Sequence, residues 1–232
     1  MYDEIKAHRF YGLDQLEIKP GKKWNGNYPL TPVPSQGRII ASPIAFISKV
    51  MKTVSYTHPD SAALSIAAGL MDNLYLHTSL REQGGAYGGG AVGSPISGTF
   101  YFYSYRDPNI LSSLNAFQKA IENLLSGDFE DQDIEEAKLE MIQSLDMPAA
   151  PGSRGDIAYA ALLEGRTQEI RQEFRDKVLA ATRKDIIEAV RKHVVPQMDV
   201  GATIVFAGRE LLEKENAKLV AKGLSPLPLE TV

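Results

Sequence analysis

Residues 80–90 read LREQGGAYGGG, which sets Arg81 and Tyr87 six positions apart among five glycines. A guanidinium donates hydrogen bonds from a fixed planar fork, and a phenol donates one directed bond; neither has to change protonation near neutral pH. Such a pair can hold a peptide carbonyl and stabilise negative charge that develops on it. Glycines beside the pair let another backbone approach closely. A purely structural role is equally open at this point, with Arg81 complementing a helix C-terminus and Tyr87 serving as an ordinary strand aromatic. Spacing alone does not separate the two.

The elements on either side must position the pair. His58-Pro59-Asp60-Ser61 is a helix start, after which Ala63, Ile66, Ala67, Leu70, Met71, Leu74, His77 and Leu80 recur at three- and four-residue spacing. That pattern predicts an amphipathic helix of about five turns, with His77 packed on its apolar stripe and Gly84 or Gly85 in a left-handed cap. Downstream, GTFYFYSYRD (98–107) alternates, with Thr99, Tyr101, Tyr103 and Tyr105 on one face and Phe100, Phe102 and Ser104 on the other. This predicts a sheet with one helix-covered and one wetter face. A partner strand falls between Tyr87 and Gly98, returning through GSPISG.

Residues 39–56 read as one or two strands, with Pro43 limiting the ladder. Apolar stripes at Ile110–Leu124 and Ile134–Leu145 predict two helices, and residues 157–181 a further helical stretch. Thr182 with Asp185 forms a capping-box pattern for a helix that Pro196 closes. VGATIVFAG (200–208) is the last expected strand, followed by a charged terminal helix. Residues 19–38, rich in Pro and Gly, read as a connection that Trp24 pins to the surface. The regular β-α-β alternation of a doubly wound sheet is missing, so the expected class is α+β: an antiparallel sheet with helices packed on one face.

The chain has 232 residues, 44% of them hydrophobic and 23% charged, enough for one substantial core. A net charge of −4 supplies no basic field, so neither nucleic acid nor an anionic membrane is expected as a partner. Neither a bilayer-length apolar run nor a signal-peptide core is visible, and a secreted protein is not expected. There is no cysteine, and the four histidines, His8, His58, His77 and His193, never fall at metal-binding spacing. No metal site is therefore expected from this chain alone. The glycines follow a helix rather than opening one and lack a GK[ST] pattern, which argues against phosphate binding. FEDQDIEEAKLE (129–140) reads as a helix N-terminus with a solvated face, and GSRGD (152–156) as a chance tripeptide.

The run HPDSAALSIAAGLMDNLYLHTSLREQGGAYGGGAVGSPISGTFYFYSYRDPN (58–109) resembles the C-terminal part of presequence proteases, zinc peptidases of the pitrilysin/insulinase superfamily. An Arg, then GGAYGG, then G-x-F-x-F-x-SYRDP carry the likeness in order and spacing. The resemblance implies that residues 38–232 are the C-terminal α+β domain of a four-domain chain whose two halves close around a peptide chamber. Residues 1–37 are then a linker-like N-terminal segment. It implies zinc in the N-terminal half, on an inverted HxxEH motif that this sequence lacks, so none is bound here and the chain alone is expected to be inactive. It gives Arg81 and Tyr87 a catalytic part: they bind substrate backbone near the scissile bond and support the oxyanion, while Gly84, Gly85 and Gly88, with Gly89 and Gly90, shape the turn that presents them. The implied partners are the N-terminal catalytic portion of the same polypeptide and short unstructured peptides, in bacterial cytoplasm or an organelle matrix. A non-catalytic subunit or scaffold of the same superfamily is the alternative, and an anion-binding module a remote third.

Overall fold

The alternation of Phe and Tyr in β4 (Thr99–Asp107) organises the sheet. The structure, a computed structural model, describes residues 33–231; Trp24 and the other residues from 1 to 32 of the segment read as linker-like lie outside them. Phe100 and Phe102 of β4 are fully buried, together with Ile47 and Met51 of β2 (Ala45–Lys52) and Val205 and Ala207 of β5 (Ala202–Ala207). Helices pack on this face, and the ring of Phe102 stacks on Phe117 of the helix that follows at 5.1 Å between centroids. Tyr101, Tyr103 and Tyr105 look the other way and keep contact with solvent.

With β1 (Gln36–Ile39), β3 (Gly88–Ser94) and β6 (Leu229–Thr231), the strand order is β3-β4-β2-β5-β1-β6. The pairs β3/β4, β4/β2 and β2/β5 are antiparallel, as expected. However, β1 pairs in parallel with both β5 and β6, so the α+β sheet is mixed rather than wholly antiparallel. Parallel neighbours need a crossover. The terminal helix (Arg209–Ala221) carries the chain from β5 past β1 to β6, while β1 is joined to β5 through the whole chain between them. Three residues of β6 are too short to show any alternation, and the sequence reading did not include that strand.

Among the described residues, seven α-helices complete the fold: α1 (Ser61–Met71), α2 (Leu111–Ser126), α3 (Asp131–Leu145), α4 (Arg154–Leu163), α5 (Gln168–Ala180), α6 (Arg183–His193) and α7 (Arg209–Ala221). Two expectations change. The five-turn helix is α-helical only to Met71 and continues from Asp72 to Gln83 with wider, π-type winding. That winding puts Leu76 and Leu80 in the core and turns His77 out to solvent, so His77 is not a packed residue. Moreover, α1 is buried almost all round, because Ala62, Ala63, Ala67 and Ala68 let it sit at the centre of the fold. Second, the helical stretch over 157–181 is broken at Gly165, where φ is +68°, into α4 and α5. The capping box of Thr182 and Asp185 opens α6 as the sequence predicts.

Candidate functional site

The π-wound segment ends in the glycines. Gly85 takes φ +78°, and its N–H donates to the Arg81 carbonyl at 3.1 Å while that of Ala86 donates to the Leu80 carbonyl at 2.9 Å. The chain thereby reverses within a few residues and enters β3 at the sheet edge. Gly89 is required for a different reason: a Cβ there would lie 2.6 Å from Leu80 Cδ1 and 2.9 Å from the Tyr103 carbonyl oxygen. Bare backbone at Gly89 lets the π-wound segment lie directly on the strand.

The corner after β4 locks this turn in place. Asp107 is fully buried and accepts hydrogen bonds from the hydroxyls of Ser104 and Ser113 and from the Asn109 N–H. Asn109 in turn donates through Nδ2 to the Gly84 carbonyl at 2.8 Å. At the next helix start, the buried Glu215 of α7 accepts the N–H groups of Ile110 and Leu111 at 3.1 and 2.9 Å. The SYRDPN motif thus ties β4, the glycine turn and α2 into one unit.

On the surface of that unit lies an open depression of about 590 Å³ lined by His77, Arg81, Glu82, Gly85, Ala86, Tyr87 and Arg106. Arg81, from the π-wound segment, and Tyr87, from the turn just before β3, therefore reach one site, and Tyr87 is 69% exposed. Of the glycines expected to shape the site, Gly85 lines it. Gly84 anchors it through its carbonyl, and Gly88 opens β3 opposite Tyr105. Arg81 Nη1 donates to His77 Nε2 at 3.2 Å. Since a guanidinium has no lone pair, this bond puts the imidazole proton on Nδ1, which lies 3.8 Å from Glu82 Oε1. Arg106, absent from the sequence reading, stands over the rings of Tyr87 and Tyr105 at 5.9 and 5.7 Å from their centroids.

Asp72 begins the π-wound segment and presses its carboxylate against Gly90, where a Cβ would fall 2.5 Å from Oδ1. Burial pushes the Asp72 carboxyl up to about 6; the Glu140 carboxylate adds to the rise and His77 opposes it. Burial also raises Tyr103, with Asp72 and Tyr101 contributing.

A second cluster, also missed by spacing, unites His58, Asp60 and His193 from opposite ends of the chain, their ligand-type atoms all within 4.8 Å. Its groups are already engaged. Asp60 Oδ2 lies 2.7 Å from His193 Nε2 and 3.1 Å from Lys192 Nζ, while the Asp60 N–H donates to His58 Nδ1 at 3.1 Å. Burial works to raise the Asp60 carboxyl, but the bonds from His193 and Lys192 outweigh it and hold it below its usual value. The cluster is a clamp between the start of α1 and the end of α6.

Residues 43–205 match the family model described as "PreP C-terminal domain". Over 155 residues, or 67% of the chain, the sequence is 44% identical to the mitochondrial presequence protease of Xenopus tropicalis and spans 15% of it. It is 37% identical over 179 residues to the mitochondrial presequence protease of Danio rerio, covering 76% of this chain and 17% of that protein. The chain thus spans less than a fifth of these curated relatives. The fold is similar to that of a peptidase M16 inactive domain from Pseudomonas fluorescens, with a TM-score of 0.62, 17% identity, and coverage of 86% of this chain and 46% of that one.

Proposed function

The chain belongs to the presequence protease family, as a C-terminal domain, and from that premise we propose that it is the substrate-binding domain of a zinc-dependent metalloendopeptidase that degrades short unstructured peptides. The observation that carries this reading is the convergence of Arg81 and Tyr87 on one open depression. The guanidinium and the phenol donate to the carbonyl of a bound peptide, and they bind it more tightly as that oxygen gains negative charge. The His77–Arg81 bond fixes one edge of the guanidinium and leaves the other free for the ligand.

Two guanidiniums, a phenol, one imidazole already engaged by Arg81 and one glutamate make a poor metal-ligand set. On this proposal the zinc of the intact enzyme belongs to the N-terminal catalytic portion of the polypeptide, attack on the bond depends on groups outside this chain, and the chain alone is expected to be inactive. In this reading residues 38–232 belong to the domain, together with Gln36 and Gly37, which already pair in β1, and the residues before the strand are the connection to that portion. An organelle matrix fits the relatives, whose names place them in mitochondria.

Because a similar fold is described as an inactive peptidase domain, a scaffold role is the competing reading. Titration of a labelled unstructured peptide into the chain separates the two. Substrate binding predicts saturable affinity that falls roughly tenfold or more in Arg81→Ala and measurably in Tyr87→Phe, as expected for loss of a charge-assisted and a neutral hydrogen bond. A scaffold predicts affinities indifferent to both substitutions.

A further inference from the structure

We propose that Arg106 reads a carboxylate on the bound peptide and so determines which peptides the Arg81/Tyr87 site prefers; this rests on the peptide-binding reading above. The backbone supplies the first argument. Between β2 and β4, Phe46 pairs with Tyr105 and Ala45 with Asp107, which leaves Arg106 as the extra residue of a β-bulge. Bulges re-aim side chains, and here Tyr105 and Arg106 are both exposed where strict alternation would bury one of them. Arg106 has φ +51° and is the only non-glycine residue with positive φ among the described residues. Glycine would occupy that conformation without penalty, so the chain tolerates strain in order to keep a side chain there.

The side chain is held by aromatic rings. Its guanidinium lies over both Tyr87 and Tyr105, an arrangement that fixes the plane of the group and leaves its N–H edge open. The Arg106 carbonyl accepts the Tyr87 N–H at 3.3 Å, so the two residues are positioned together. No carboxylate pairs with Arg106 among the described residues. Among the described residues, the one acid lining the depression, Glu82, faces His77. Two guanidiniums against a single glutamate make the depression complementary to an acidic group. An Arg fork takes a carboxylate with two parallel hydrogen bonds.

The test is a binding titration of the chain with matched pairs of unstructured peptides, each pair differing by one Asp or Glu replaced with Asn or Gln at successive positions. At one position the acidic peptide is expected to bind about tenfold more tightly than its neutral twin, the difference one charge-assisted pair provides. Arg106→Gln should abolish that preference while leaving the neutral peptide bound, Arg106→Lys should restore part of it, and Arg106→Glu should invert it. Arg106→Gly should lose the preference with no drop in melting temperature, which separates recognition from folding. Equal affinities for both members of every pair, or a preference unchanged in Arg106→Gln, would overturn the proposal while an effect of Arg81→Ala keeps the peptide-binding reading intact. Absence of peptide binding, or binding indifferent to Arg81→Ala, overturns that reading and this inference with it.

Discussion

At the scale of single residues, two positions beside the depression carry a cost. Asp72 is buried against Gly90 with a carboxyl raised from 3.8 to about 6. A raised carboxyl binds its proton more tightly in the folded state than in the unfolded chain. Stability therefore falls as pH rises from about 4 to 6 and stays lowered above that window. Asp72→Asn keeps the shape and removes the charge, so it should raise the melting temperature at neutral pH, with the gain shrinking toward zero near pH 4. A gain that is the same at both pH values, or a loss at neutral pH, would contradict the assignment. Arg106 stores strain of another kind, about 1 kcal/mol for a non-glycine residue with positive φ, which Arg106→Gly should release as a higher melting temperature. Arg81 and Tyr87 stood out in the sequence as a candidate pair; that both line one depression is what the structure adds. Arg106 left a fainter signal. Phe100, Phe102 and Ser104 mark every second residue as buried, yet the next position in that series is a charged Arg106, and the buried residue is Asp107. That change of parity announces the bulge.

At the scale of elements, the glycine density that weakens β3 as an isolated strand lets it serve as the bed for α1 and the π-wound segment. Gly89→Ala forces its Cβ against Leu80 Cδ1 and, less forgivingly, against the Tyr103 carbonyl oxygen. It should destabilise the chain by about 1–3 kcal/mol in denaturant unfolding, the usual cost of overpacking. Gly88→Ala meets nothing within 4 Å and should be close to neutral by the same measurement. Equal effects would show that close approach is not what requires glycine at 89. The alternation of β4, the capping box of α6 and the strand at Ala202–Ala207 could be read directly, since each follows a local rule. Apolar residues at three- and four-residue spacing pointed to a helix but not to its hydrogen bonding, and the wider winding after Met71 rotates the following side chains away from the α-helical stripe, so His77 was placed on the wrong side. The parallel pairing of β1 with β5 and β6 arises from contacts far apart in the chain and has no local signature.

At the scale of the whole molecule, the chain corresponds to less than a fifth of its curated relatives, and the peptidase proposed above is shared between it and the portion that they contain besides. Here the fold supplies hydrogen-bond donors on a rigid corner, with Asp107, Asn109 and Glu215 fastening the strand, turn and helix that present them. The His58–Asp60–His193 clamp shows the limit of spacing arguments: His193 stands more than a hundred residues from His58 and Asp60 in sequence and meets them only in the fold. The most direct measurement of the central claim is hydrolysis of an unstructured peptide by the zinc-bearing N-terminal portion of the enzyme, with and without this chain, and with its Arg81→Ala variant. No hydrolysis by this chain alone is expected, hydrolysis on mixing is, and the rate should fall roughly a hundredfold or more when the variant replaces it, the usual cost of removing one oxyanion donor. Equal rates with Arg81→Ala, or hydrolysis by this chain unaided, would contradict that claim.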